Sequence, residues 1–275
     1  PRGTTLDAGS IALCAGLGLA EVRTYRPPRV GVLSTGDELV TPGQELQPGQ
    51  IWSSNGIALA SLIEEAGGAP VPLGTCRDTE KDLVEAIARA QSSSLDVLIT
   101  TGGVSVGDHD LVKEALATAG MTLAFWKLRV KPGKPLAFGT LGSMPVFGLP
   151  GNPVSCMIGF LQFVRPLIRA SLHDPCPFLP VVQARFMDTW SRRPGRNELL
   201  RVSLSSTQDG LEARLCGAQG SGRISSMARA QGLALIHHEA RRLEQGDTIQ
   251  VQLLNADTIW QPDPMYRWSG RSAEE

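Results

Sequence analysis

With 275 residues, 42% of them hydrophobic and 19% charged, the chain has ordinary globular composition and enough length for two packed domains. Lys and Arg number 26 against 27 Asp and Glu, so a formal charge of -1 gives no electrostatic footprint for nucleic acid or an anionic membrane. No apolar run is long enough to span a bilayer, and no secretory pattern opens the chain. Proline at position 1 reads as a fragment or a processed form. The five cysteines (Cys14, Cys76, Cys156, Cys176, Cys216) are scattered, and without a CxxC or CxxH pair they argue against a zinc site or a disulfide framework. Reduced thiols in the cytoplasm are the expectation.

Residues 1–26 are expected to form a connector with a short helix ending at Gly16 or Gly18. Arg26-Pro27-Pro28-Arg29 then breaks regular structure, because proline fixes φ and lacks an N–H, and a domain over 27–174 begins there. Val30–Ser34 is a buried strand. Ser54–Ala66 places Ile57, Ala60, Ile63 and Ala66 at helical spacing behind the capping candidates Ser53, Ser54 and Asn55, and Gly67-Gly68 stops it. Ala69–Gly74 is the next strand, and Asp78 or Thr79 caps a helix with Leu83, Ile87 and Ala90 on one face.

Asp96–Thr101 is a third strand that runs straight into Gly102-Gly103, followed by a helix over Asp108–Ala119 closed by Gly120. Thr122–Val130, Leu136–Thr140 and Val146–Leu149 are β-rich. Asn152 at N-cap and Pro153 at N1 open a long apolar helix to about Leu172, which Pro166 should kink or end early. Strand alternating with helix predicts a three-layer α/β/α domain, with ligands at the C-terminal ends of its strands. After His173-Asp174-Pro175 the texture changes to short alternating runs at Pro180–Phe186, Leu199–Ser205, Leu211–Leu215, Leu233–His237 and Thr248–Leu254. Residues 175–254 are therefore expected to be a small all-β domain, sandwich or barrel, and 255–275 a tail.

Three loops carry chemistry. Ser34-Thr35-Gly36-Asp37-Glu38 follows the first strand, and Gly36 and Asp37 are candidates there. Thr101-Gly102-Gly103-Val104-Ser105 leaves a strand and enters a helix, so its glycine backbone can approach a phosphate while Ser105 adds a donor. Asp108 and Asp110 at that helix start either cap it or, beside an anion, hold a magnesium ion. The third loop joins Lys131-Pro132-Gly133-Lys134-Pro135 to Pro150-Gly151-Asn152-Pro153-Val154-Ser155. Its prolines stiffen a turn between two cations, which suits an anion clamp beside a helix N-terminus. Neither a G-x-x-x-x-G-K-[ST] nor a G-x-G-x-x-G pattern occurs.

In the β domain, Arg193, Arg196 and Arg201 are expected to cluster around Glu198, and Gln219-Gly220-Ser221-Gly222-Arg223 to form a flexible polar loop. His109, His173, His237 and His238 have no ligand spacing, and the last two read as strand residues.

In this order, STGDELV, DVLITTGGVSVGDHD, KPGKP and FGLPGNPVS resemble the MoeA family of molybdopterin molybdenumtransferases, which includes the gephyrin E domain. The resemblance runs from about Leu6 to Val251. It implies insertion of molybdate into the dithiolene of adenylated molybdopterin, with magnesium-dependent release of AMP. By motif match, Gly102, Gly103, Ser105 and Asp110 would seat the adenylate phosphate and its magnesium, with Asp78 lining the same pocket. Lys131, Lys134, Pro135 and Ser155 would hold the anionic substrate, with Ser105, Asp110 and Lys134 as the catalytic set. Arg196 and Ser221 would bind molybdate, Arg196 being aligned through the looser match GRNELLR. The resemblance also implies a homodimer, two further N-terminal domains and the molybdopterin adenylyltransferase as a candidate partner. A non-catalytic scaffold on the same fold, or an enzyme that adenylates molybdopterin, are the competing readings. The β domain and the KPGKP–PGNP pair argue against the adenylating enzyme.

Overall fold

The computed structural model describes residues 1–103 and 111–254. The chain forms two compact units, one holding Pro1–Phe178 with Gly220–Ile224, the other Leu179–Gln219 and the described residues from Ser225 onward.

In the first unit, α1 (Ala8–Gly16) is capped by Asp7, whose carboxylate accepts from Ser10 N at 2.8 Å. None of its residues is buried, and Ile11, Leu13, Leu17 and Leu19 stand exposed. Arg26 grips Asp96 through two hydrogen bonds of 2.6 and 2.7 Å, and this guanidinium holds the Asp96 carboxyl below its ordinary range.

The elements that follow are β1 (Arg29–Thr35), β2 (Leu39–Val40), β3 (Ile51–Trp52), α2 (Asn55–Glu65), β4 (Ala69–Cys76), α3 (Glu80–Gln91) and β5 (Val97–Thr101). Next come α4 (Leu111–Thr118), β6 (Thr122–Trp126), β7 (Val130–Lys131), β8 (Ala137–Leu141) and β9 (Met144–Leu149). The main sheet runs β4-β1-β5-β9-β8-β6. Its first four strands are parallel, with Val30 opposite both Pro70 and Val97, and Leu98 opposite Val146. β8 runs antiparallel to β9, and β6 runs antiparallel to β8, so β8 alone opposes the rest of the sheet.

The chain steps from β1 outward to β4, then back across β1 to β5. Right-handed crossovers in opposite directions put α2 and α3 on opposite faces. Leu83 and Ile87 of α3, Val112 and Leu116 of α4, Leu98 and Val146 accordingly form one apolar cluster. α2 packs instead with the C-terminal helices. Fully burying each such side chain contributes about 1.5–3 kcal/mol. The reversal of direction also opens a crevice at the carboxyl ends of β1 and β5, the position where α/β sheets bind ligands.

Several expected boundaries move. β4 continues past Gly74 to Cys76, and Thr122–Val130 resolves into two strands. Thr79 caps α3, its hydroxyl accepting from Asp82 N at 3.2 Å, which leaves Asp78 for other work. Pro166 does not end the last helix. α5 (Pro153–Gly159) passes through a π-helical turn at Phe160–Val164 into α6 (Arg165–Ser171), with Pro166 in the first turn of α6. The wider turn accommodates the proline ring and its missing donor. The expected helix start at Asp108 lies outside the described residues.

The second unit contains β10 (Val181–Phe186), β11 (Trp190–Ser191), β12 (Asn197–Thr207), β13 (Gly210–Leu215), β14 (Gly232–Ile236), β15 (Arg242–Leu243) and β16 (Thr248–Leu253). β10 pairs with β16 and β13, β12 with β13 and β14, and β14 with β16, so five strands close on themselves. A barrel, and not a sandwich, is the outcome. Phe186, Leu200, Val202, Ala234, Ile236 and Val251 fill it.

Its polar features depart from expectation. Arg192, not singled out from sequence, pairs with Glu198 at 3.3 Å and donates to the Arg196 carbonyl. Arg193 and Arg196 form no ion pair among the described residues, whereas Arg201, 1% exposed, does feel the charge of Glu198 as expected and donates to Ser226 Oγ at 3.2 Å. The start of the expected flexible loop is anchored, since the Gln219 amide bonds both the N–H and the carbonyl of Arg201 at 2.8 and 3.1 Å. His237 and His238 follow β14 and do not lie in it.

Candidate functional site

Three parallel strands end side by side, and each hands its chain to a glycine-bearing loop. Gly102 adopts φ +95°, and a Cβ there would stand 2.1 Å from the Thr35 carbonyl oxygen. Gly103 adopts φ +61°, and its Cβ would meet Val112 Cγ2 at 2.3 Å. Only glycine permits both the backbone angle and the approach, so the loop after β5 lies pressed onto the end of β1. Gly102 N donates to the Leu149 carbonyl at 3.3 Å, which ties in the end of β9.

Asn55 locks the arrangement. Its side-chain amide donates to Thr101 Oγ1 at 2.9 Å and to the Gly151 carbonyl at 2.8 Å. The Thr101 hydroxyl in turn reaches the Pro150 carbonyl at 3.3 Å and lies 3.4 Å from Cys156 Sγ. Burial pushes that thiol up to about 12.

Between these loops lies a cleft of about 510 Å³. Ser34, Thr35, Glu38, Asn55, Gly102 and Gly103 line its floor and sides, with Ile51 and Trp52 also on its wall. Among the described residues, the lining includes Glu38 and Asp78 but no Lys, Arg or His. Burial, then the charges of Glu38 and Asp37, raise the Asp78 carboxyl above its ordinary value. Thr35 Oγ1 and Asp78 Oδ1 are buried with no hydrogen bond of ordinary length among the described residues, although Thr35 lies close enough to the Asp78 carboxylate to offset part of its rise. Native proteins rarely leave such atoms unmatched, and a ligand is one way to match them.

Of the residues expected from sequence, Asp78, Gly102, Gly103, Gly151, Asn152 and Pro153 line this cleft. Gly36, Asp37 and Pro150 do not. They brace it instead, Gly36 N donating to the Cys76 carbonyl and Asp37 Oδ1 accepting from Asp78 N, both at 3.4 Å. The side chain that sequence reading missed in this loop is Glu38. Thr35, Asn55 and Trp52 were missed as well.

Lys131, Lys134, Pro135 and Ser155 lie outside the lining. Both lysines are exposed and Ser155 is buried. The two halves of the third loop do meet, for a Cβ at Gly133 would lie 3.9 Å from the Ser155 carbonyl oxygen. The Ser221 carbonyl accepts from Val154 N at 3.1 Å, at the start of α5 within the first unit. Arg196 is an exposed residue of the second unit. Ser105 and Asp110 lie outside the described residues. Among the described ones, no three His, Cys, Asp or Glu side chains gather into a metal site. No helix of the described residues is long and apolar enough to cross a membrane.

Residues 31–170 match the family described as a probable molybdopterin binding domain, and residues 183–254 match the MoeA C-terminal region, domain IV. The chain belongs to the MoeA family. A molybdopterin molybdenumtransferase of Haemophilus influenzae is 38% identical over 92% of this chain and 63% of its own length. One from Nostoc sp. is 38% identical over 86% of this chain and 55% of its own. The chain thus spans a little over half the length of such relatives. A solved molybdopterin biosynthesis MoeA protein from Pyrococcus horikoshii superposes with a TM-score of 0.81 at 32% identity, over 92% of this chain and 61% of that one. Within this MoeA-family chain the whole cleft falls in the molybdopterin-binding match, while Arg196 and Ser221 fall in the domain IV match.

Proposed function

We propose that this chain is part of a molybdopterin molybdenumtransferase that inserts molybdate into adenylated molybdopterin and releases AMP. The observation that carries the reading is the cleft at the reversal point of the sheet, where glycine backbone and unmatched polar atoms await a ligand. The names of the relatives support molybdenum transfer to molybdopterin, and the adenylated substrate and AMP release come from the motif resemblance.

Gly102, Gly103 and Ser105 seat the adenylate phosphate, and Asn55 holds the loops of β5 and β9 at the spacing this requires. Glu38 and Asp78 would repel a phosphate, and among the described residues no basic side chain of the lining offsets them. That imbalance fits a divalent cation in the cleft, and magnesium held through Asp110 would neutralise the phosphate charge there. Lys131, Lys134, Pro135 and Ser155 hold the anionic substrate, with Lys134 contributing to catalysis as a fixed positive charge. Arg196 and Ser221 remain the molybdate ligands on the motif match. The exposed apolar residues of α1 and its flanks support a homodimer. The molybdopterin adenylyltransferase is the proposed supplier of substrate, and five free cysteines fit a reducing cytoplasm.

The test supplies adenylated molybdopterin, magnesium and molybdate to the complete protein and follows AMP. Release should need molybdate and be abolished by Asp110→Ala. AMP appearing at the same rate without molybdate, or in the variant, overturns the reading.

A further inference from the structure

One wall of the cleft differs in kind from the rest. β2 and β3 form a two-residue parallel pairing, Leu39 opposite Ile51 and Val40 opposite Trp52. It is sealed at both ends, where Ile51 N donates to the Glu38 carbonyl and Ser53 N to the Val40 carbonyl, each at 2.8 Å. The segment that carries Glu38 out of β1 therefore carries Trp52 beside it. The Trp52 indole is 53% exposed, yet its N–H donates to the Gln44 carbonyl at 3.2 Å. The ring is thus held by a hydrogen bond that needs no water, and covering the ring would leave no donor stranded. Among the described residues, everything else on the lining is small, polar or acidic apart from Leu39, Ile51 and Pro153.

We propose that Trp52 is the stacking platform for the planar heteroaromatic ring of the nucleotide whose phosphate sits at Gly102-Gly103. The inference rests on the reading of the cleft as a nucleotide site and adds a residue that selects for the base. An indole fixed before the ligand arrives loses little freedom on binding. Stacking on it makes affinity depend on a flat ring, which the carboxylates and glycines of the cleft cannot read.

The test measures binding of AMP and of ribose 5-phosphate, each with magnesium, to the full-length protein by calorimetry. Trp52→Ala should weaken AMP by about tenfold or more, while Trp52→Phe stays within about threefold of the parent. Ribose 5-phosphate should bind all three proteins alike. Circular dichroism and thermal melting establish that the variants are folded. Equal AMP affinity in parent and Trp52→Ala, or equal weakening of AMP and ribose 5-phosphate, overturns the stacking role. Failure of the parent to bind either compound overturns the nucleotide reading itself, and the stacking role with it.

Discussion

The Asn55 amide reaches Thr101 and Gly151, residues 46 and 96 positions away in the chain. From sequence it reads as a helix cap, yet neither it nor Ser54 makes a side-chain cap bond to α2. No local pattern reports a partner so distant, which is why Asn55 was invisible as a site residue. Asn55→Ala should cost about 1–2 kcal/mol in urea denaturation, since two donors are lost and their acceptors left facing each other. Asn55→Asp should cost more, because a carboxylate cannot donate to the Gly151 carbonyl. Asp78, beside the charge of Glu38, shapes the pH response. The Asp78 carboxyl is raised, so its ionisation is penalised in the folded state, fully above the raised value and not at all below the ordinary 3.8. Asp78→Asn should therefore stabilise the protein against urea at neutral pH, with the gain shrinking as pH falls toward that range. The thiols give a third check. Cys176 is exposed, whereas burial holds Cys76 at about 11 and Cys156 at about 12. At pH 8 a thiol reagent followed by mass spectrometry should label Cys176 well before Cys76, and Cys156 only on unfolding.

At the level of elements, the junction of β5 with its loop depends on backbone proximity. Gly102→Ala forces a methyl group onto the Thr35 carbonyl at a positive φ, and should destabilise by about 1–3 kcal/mol in a thermal melt as well as weaken AMP. The glycine pair was legible because a strand that ends in two glycines before a helix has few other uses. Strands β1, β5 and β9 were legible for a similar reason, their burial on both faces leaving unbroken apolar runs. The helix through Pro166 was half legible, because proline announces a kink or an early end without saying which, and the chain continues through a π-helical turn. The π-helical turn that absorbs it depends on packing of Phe160, Leu161 and Val164, all buried.

For the molecule as a whole, alternation of strand and helix was enough to anticipate an α/β unit followed by a β unit. Closure of the second was not readable, since it hinges on a parallel pairing of β10 with β13 that joins Arg185 to Glu212. The proposed homodimer is open to a direct check, in which replacing Leu13 and Leu17 together by Asp shifts sedimentation toward monomer. The way the sheets end bears on how such copies could meet. β4, at one margin of the large sheet, carries Pro70 and Pro72, and β6, at the other, loses register between Leu123 and Phe125. The barrel has no margin among its five strands. Among the described residues, a neighbouring copy thus finds little main chain along these margins ready to be zipped onto, and contact there must be written in side chains, where one substitution can rewrite it without unfolding either partner.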